Sequence, residues 1–391
     1  MLCKRYGADM KLALIRQRYA QDGGAERFVA RAIEALRGES FALTLVTREW
    51  TQGQGFAVLS CDPFYLGRTW RDWSFARCVC RRLAEKRFDL VQSHERVSCC
   101  DVYRAGDGVH REWLVQLARA RGSLGRLGLR LNPYHRYTMR AERRLFESPQ
   151  LKAVICNSRM VRDEILGYFR IDTGKLHVIY SGVDVSAYHP DLKRHRAEVR
   201  ARYGIPEQVP LFLFVGSGFE RKGVATLVEA MALLPQDAHA LIVGRDKHIA
   251  RFVQRANRLG LDKRILFLGR QADVKPFYGA ADALVLPTLY DPFPNVALEA
   301  MAAGLPLVTS HKSGAAELLV EGKNGFVCDA LDRVALAGHM AALCEPQTAS
   351  RMGGAARELG QSLSDEKMKQ RMMALYHDLV GTVQSSTSVS A

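Results

Sequence analysis

Short apolar runs and stretches of helical apolar spacing alternate along this chain, which predicts α/β layering on parallel sheets. In the first half, strands are expected over residues 11–16, 41–47, 88–93, 152–157 and 176–180. After the first, Gly23-Gly24 ends a loop, and Ala25, Phe28, Val29, Ala32, Ile33 and Leu36 recur at helical spacing. The second half repeats the plan more cleanly over 211–215, 240–244, 265–268, 283–286 and 306–309, each followed by a helical pattern. Continuous apolar runs of this length suit strands covered on both faces, as parallel strands are. No short-period repeat is present, so solenoids and propellers are not expected.

Residues 186–208 are polar and charged, with Pro190, Pro206 and then Pro210, and read as a boundary region. At 391 residues the chain fits two domains of about 180 each. The expected division is 10–190, then 205–364, then a helix over 365–381 with Met368, Met372, Leu375 and Leu379 on one face. The Ser/Thr-rich tail from 382 is expected to be disordered. Two doubly wound domains imply a cleft between them, with ligands outside the carboxyl ends of the strands.

Composition places the chain among globular proteins, at 48% hydrophobic and 25% charged residues. No apolar run approaches the roughly 20 residues that cross a bilayer, and no signal peptide is visible, so a cytoplasmic location is expected. The nine cysteines lack metal-ligand spacing and read as reduced, buried or incidental thiols. Charge changes the picture more. The formal net charge is +15, and residues 1–200 carry 36 Lys and Arg against 22 Asp and Glu, leaving 20 against 19 for the rest. One half therefore meets something anionic. The densest stretch holds Arg119, Arg121, Arg126, Arg130, Arg136, Arg140, Arg143 and Arg144, opposed only by Glu142. Interleaved Leu117, Leu124, Leu127, Leu129, Leu131, Tyr134 and Tyr137 make it a basic amphipathic segment, suited to a membrane surface rich in acidic headgroups. Nucleic acid is the rival partner, but no recognition motif accompanies the charge, and none is expected to bind.

Four constellations carry candidate chemistry. Gly216-Ser217-Gly218-Phe219-Glu220-Arg221-Lys222-Gly223 follows an expected strand; glycines admit a close ligand, and Arg221 with Lys222 place two cations beside it. One cation about 4 Å from a developing anion is worth roughly 4 kcal/mol at an effective dielectric near 20. Asp291 and Glu299 flank a turn that opens a helix near Asn295, whose start leaves the N–H groups of Asn295, Val296 and Ala297 for a phosphate. A carboxylate on each side of a diphosphate holds sugar hydroxyls, which suggests a nucleotide-sugar site. Gly23-Gly24-Ala25-Glu26 is a weaker phosphate signal. Asp107 and His110, in Ala105-Gly-Asp-Gly-Val-His110, are candidates to sit over the reacting sugar, His110 as general base or hydrogen-bonding group. There is no Asp-X-Asp, so a metal on the diphosphate is not indicated, and no Gly-X-Gly-X-X-Gly after the first strand, which disfavours NAD.

With Cys156-Asn-Ser158, Ser181-Gly-Val-Asp184, Gly314-Ala-Ala-Glu317 and Gly322-Lys-Asn-Gly-Phe326 added, the ordered set resembles the family-4 retaining glycosyltransferases of GT-B fold over about residues 10–380. Within them it is most similar to the enzymes adding the first glucose to the lipopolysaccharide inner core. The resemblance implies two Rossmann-like domains facing a cleft, with the C-terminal helix crossing back to the first. It implies a retaining hexosyltransferase using a nucleotide sugar such as UDP-glucose, with no cofactor or metal. The acceptor would be an anionic, membrane-associated glycolipid on the cytoplasmic face of the inner membrane. By position, Glu299 would bind ribose hydroxyls, Asp291 donor-sugar hydroxyls, and Arg221 and Lys222 the diphosphate, with Gly23 and Gly24 approaching from the other domain. The backbone at Arg270 would read the base, and Gly216, Ser217, Phe293, Asn295 and Val296 would complete the donor site. The first acid is commonly Glu and here is Asp291, one methylene shorter. The following Pro292-Phe293-Pro294-Asn295 replaces an Ala/Gly-rich turn. Other family-4 sugar specificities, and more distantly a nucleotide-sugar 2-epimerase, are the alternatives.

Overall fold

The computed structural model describes residues 10–18, 41–49, 57–235 and 237–387. The chain forms two compact units, one of residues up to Tyr180 together with Met368 onward, the other Ser181–Lys367.

The first unit is built on a seven-stranded parallel sheet of order β3-β2-β1-β4-β5-β6-β7. Its strands are β1 (Met10–Ile15), β2 (Phe41–Thr47), β3 (Ala57–Ser60), β4 (Leu90–Ser93), β5 (Val102–Arg104), β6 (Ala153–Cys156) and β7 (Leu176–Val178). Strand alternation sends side chains to two separate cores. Ala13, Ile15, Tyr103, Val154 and Cys156 pack with Phe75, Val79, Val161 and Ile165 on one face. Leu12, Leu90, Val102, Ala153 and Ile155 pack on the other with Met368, Met372, Met373, Leu375, Tyr376 and Val380. The helix Asp365–Thr387 thus returns to the first unit's sheet, and Tyr376 donates to Gln92 Oε1 at 2.6 Å. It runs past residue 381, where the sequence pattern had placed its end.

Three strands escaped the pattern, the third being Gly325–Cys328 at the edge of the second unit's sheet. β3 is a four-residue edge with Val58 48% exposed, and β5 has only three residues. The cysteine expectation is also corrected: Cys80 on the helix Gly67–Ala84 is bonded to Cys99 in the loop after β4, with Cα atoms 5.7 Å apart. Spacing could not reveal a pair that only the fold brings together.

The second unit has a six-stranded parallel sheet of order β10-β9-β8-β11-β12-β13. Its strands are β8 (Leu211–Val215), β9 (His239–Val243), β10 (Ile265–Gly269), β11 (Ala283–Leu286), β12 (Leu307–Ser310) and β13 (Gly325–Cys328). β8, β11 and β12 are buried throughout, the first two as unbroken apolar runs and the third ending in Thr309 and Ser310, whose hydroxyls donate to the carbonyls of Leu286 and Thr288. The expected boundary at 186–208 is displaced to Tyr180/Ser181. The charges read there as linker are internal ties: Arg200 is 1% exposed and donates to Asp282 Oδ2 at 2.9 Å, to Ala280 O at 3.1 Å and to the carbonyls of Pro206, Glu207 and Val209. Arg357 reaches the carbonyls of Val185 and Tyr188.

Candidate active site

In the second unit β8 lies between β9 and β11, so the connections leave in opposite directions and open a switch point at the strands' carboxyl ends. The loops after β8 and β11 are stitched together there. The Leu289 N–H and the Thr288 hydroxyl both donate to the Arg221 carbonyl, at 2.8 and 3.0 Å. Arg221 Nη1 donates to the Tyr290 carbonyl at 3.1 Å and to Asp291 Oδ2 at 3.2 Å, and the Lys222 ammonium donates to the same Oδ2. Lys222 and Asp291 are 7% and 6% exposed. Gly223 permits this approach: it has φ 75°, and a Cβ would stand 1.8 Å from the Pro287 carbonyl oxygen. The Asp291 backbone is clamped by the loop after β12, donating to Lys312 O and accepting from Gly314 N–H, both at 2.9 Å.

Burial pushes the Asp291 carboxyl up, but Lys222 and then Arg221 outweigh it and hold the group below its usual range. Burial lowers the Lys222 ammonium against the pull of Asp291, and Arg221 adds to the lowering. The arrangement is a buried ammonium and a part-exposed guanidinium sharing one buried carboxylate, with one positive charge in excess for a phosphate to meet.

Glu299 is 1% exposed in the helix Asn295–Ala302 and accepts from the Tyr278 hydroxyl at 2.8 Å. The helix starts at Pro294, which offers no side-chain cap. One expectation is corrected here. The Ala297 N–H is committed to the Pro294 carbonyl at 3.0 Å, so the trio of outward N–H groups is not complete. Phe293 and Val296 are buried and Asn295 half-buried around that start. The Gly216–Gly218 loop joins its neighbours: Gly218 N–H donates to Arg245 O at 3.4 Å, and Arg245 N–H meets Ser217 Oγ at 3.5 Å. Arg270 is exposed just after β10, at the sheet edge.

In the first unit Gly23 and Gly24 lie outside the described residues. Asp107 lies in the turn after β5, and His110 is the first residue of the helix His110–Arg119 that follows it. Asp107 is exposed and faces Arg96 at 3.5 Å. The His110 N–H donates to the fully buried Glu142, at 2.9 Å to Oε1 and 3.2 Å to Oε2, and Arg96 Nε donates to that Oε1 at 3.0 Å. The His110 ring shares a hydrogen bond with His135, Nε2 to Nδ1 at 3.0 Å. Burial, then Arg96 and His135, push the His110 imidazole down to about 3. Such a ring is neutral at neutral pH.

The basic stretch folds as the end of His110–Arg119 and the helices Ser123–Leu131 and Pro133–Phe146. Arg126, Arg130, Arg136, Arg140, Arg143 and Arg144 are all exposed. Leu117 and Leu129 are buried, whereas Leu124, Leu127 and Leu131 are 88%, 53% and 67% exposed.

Sequence reasoning passed over Tyr278, Arg96 and Glu142. A helical acid predicted to be buried requires a donor, and a lone acid among eight arginines requires a reason; those were the available signals. Among the described residues no group of three His, Cys, Asp or Glu side chains gathers as for a metal ion, and no helix is long and apolar enough to cross a membrane.

Two family models divide the chain between them: Glycosyltransferase Family 4 matches residues 22–187, and Glycosyl transferases group 1 matches residues 195–359. The chain belongs to these glycosyltransferases and has their GT-B fold of two Rossmann-like units. Among its relatives is the lipopolysaccharide glucosyltransferase WaaG of Escherichia coli strain K12, 27% identical over 326 residues, covering 81% of this chain and 85% of that one. A solved structure of WaaG, a glycosyltransferase involved in lipopolysaccharide biosynthesis, superposes with TM-score 0.81 at 23% identity, covering 95% of this chain and 100% of that one. The Anabaena Alr3699/HepE structure in complex with UDP-glucose gives TM-score 0.71 at 21% identity, covering 96% and 100%.

Proposed function

We propose that this glycosyltransferase moves a hexose, glucose from UDP-glucose, with retention and without a metal, to an anionic membrane glycolipid such as the lipopolysaccharide core. The observation that carries the donor half is the shared grip of Lys222 and Arg221 on Asp291 at the switch point of the second sheet. Bond cleavage from a nucleoside diphosphate places growing negative charge on the leaving phosphate. Two cations already fixed and partly desolvated stabilise that charge with little reorganisation. The absence of Asp-X-Asp from the sequence supports cations of the chain, in place of a metal, in this role. Asp291 would pass from the cations to a donor-sugar hydroxyl, and Glu299, oriented by Tyr278, would hold the ribose. The departing phosphate would itself take the acceptor proton on the face it leaves, which yields retention.

The names of WaaG and HepE support a glucosyl donor, and the former supports a lipopolysaccharide acceptor. The exposed arginines with Leu124, Leu127 and Leu131 support peripheral attachment to an acidic bilayer. The reading is tested by screening nucleotide sugars for a melting shift and for slow donor hydrolysis. UDP-glucose at 100 times its dissociation constant would add about 2.7 kcal/mol of stability. A shift with another nucleotide sugar and none with UDP-glucose would reassign the donor.

A further inference from the structure

The first unit has a switch point of its own, between β1 and β4, and a cavity of about 30 Å³ opens there. Its lining includes Gln17 after β1, Asp72 and Ala76 on the helix Gly67–Ala84, Glu95 and Arg96 after β4, and Tyr137. Asp72 Oδ1 accepts from Gln17 Nε2 at 3.1 Å and Arg71 Nε at 2.8 Å, and its Oδ2 accepts from the Tyr134 hydroxyl at 3.3 Å. Glu95 accepts the Gln17 N–H at 3.0 Å and faces Arg16 at 3.4 Å. Arg96 continues to Glu142 and Asp107, so the cavity adjoins the turn that carries Asp107 and His110. Cys80–Cys99 ties the helix and the loop that form two of its walls.

Charge and size together select the occupant. A phosphate entering here meets the carboxylates of Asp72 and Glu95. An ammonium meets Arg96, and the two carboxylates it would need are already engaged by Arg16 and Arg71. A hydroxyl both donates to a carboxylate and accepts from a guanidinium, and so satisfies both signs at once. The space is about that of one water, enough for a hydroxyl or a hydroxymethyl arm and too small for a sugar ring. Such a ring would stay at the mouth, near the half-buried faces of Tyr134 and Tyr137.

We propose that this cavity receives a hydroxyl or hydroxymethyl group of the acceptor sugar, so that the acceptor is recognised through a neutral polyhydroxylated residue held by Asp72, Glu95 and Arg96. The inference rests on the transfer reaction proposed above and names where its acceptor is held. The test uses the full chain and saturation-transfer NMR with the methyl α-pyranosides of glucose, galactose and mannose at millimolar concentration. The UDP-glucose melting shift is measured in parallel. At least one glycoside is expected to give a signal that falls fivefold or more in Ala76→Val, which fills the cavity, and in Asp72→Asn, which removes an acceptor charge. Both variants should keep the wild-type UDP-glucose shift. A wild-type chain that shifts with UDP-glucose but gives no signal from any of the three, or signals unchanged in both variants, would overturn the assignment. Loss of the UDP-glucose shift in the wild-type chain would instead remove the transfer reading, and this inference with it.

Discussion

The ammonium of Lys222 and the carboxylate of Asp291, 69 residues apart in sequence, form a buried ion pair where the loops after β8 and β11 meet. Each was expected to serve a different part of the donor, Lys222 the diphosphate and Asp291 the sugar. Their pairing makes the two roles interdependent. Replacing Asp291 by Asn should therefore weaken donor turnover and also leave two cations facing one neutral amide. A loss of about 3 kcal/mol or more in unfolding free energy is expected, since breaking a buried pair from one side strands a charge. Denaturant unfolding of Asp291→Asn with an unchanged midpoint would contradict this.

Tyr278 is the second dependency. Its hydroxyl is donated to Glu299 inside the fold, so Tyr278→Phe removes a hydrogen bond from a buried acid at little change in volume. A cost of about 1–3 kcal/mol is expected, divided between stability and nucleotide affinity. Calorimetric titration with UDP checks the second share; unchanged stability and unchanged UDP affinity would detach Tyr278 from the site.

Stability should fall on acidification in two windows. His110 is held down to about 3 and His94 well below its ordinary value, both chiefly by burial. For such groups the unfolded chain binds the extra proton, so their contribution is complete above about pH 6.5 and is lost as pH falls below it. Each contributes a slope of about 1.4 kcal/mol per pH unit. Asp291, depressed by Lys222 and Arg221, contributes above its unfolded value near 4 and loses that contribution only at lower pH. Glu95 and Glu142, raised by burial, contribute with the opposite sign over the same range, so the His94 share is read as a difference: melting scans from pH 7 to 4 should lose less stability in His94→Gln than in the wild type. An equal decline in that variant would reassign the acid sensitivity.

The arginine surface predicts salt-dependent adhesion. Neutralising Arg136, Arg140, Arg143 and Arg144 together should lower binding to vesicles containing a quarter phosphatidylglycerol by up to roughly 10³-fold, at about 1 kcal/mol per basic residue near the surface. Donor hydrolysis should be retained. Sedimentation of the quadruple variant at the wild-type level would assign those charges elsewhere.

Five of the second unit's six strands were legible because each holds a compact apolar run between turn residues, as at Leu211–Val215 and Ala283–Leu286; β13, a four-residue edge opening on Gly325, was not. The site motifs stood out for a related reason: Gly223 and Asp291 occupy backbone positions that local chemistry makes recognisable. What local pattern cannot carry is the identity of long-range partners. Arg200 looks like a linker charge until Asp282 is folded against it, and Cys80 looks like an idle thiol until the helix carries it to Cys99. β5 was not among the expected strands because three residues are too few for a period of two to show. Ala297 was expected to face a ligand because a helix start leaves N–H groups over, yet a turn bond to Pro294 takes this one.

The central claim is that Lys222 stabilises the diphosphate leaving a nucleotide sugar. It is tested most directly by the rate of UDP release from UDP-glucose by Lys222→Ala, with folding confirmed by circular dichroism. The account predicts a rate lower than wild type by roughly 10²–10³-fold. A folded Lys222→Ala chain that releases UDP at the wild-type rate would contradict it.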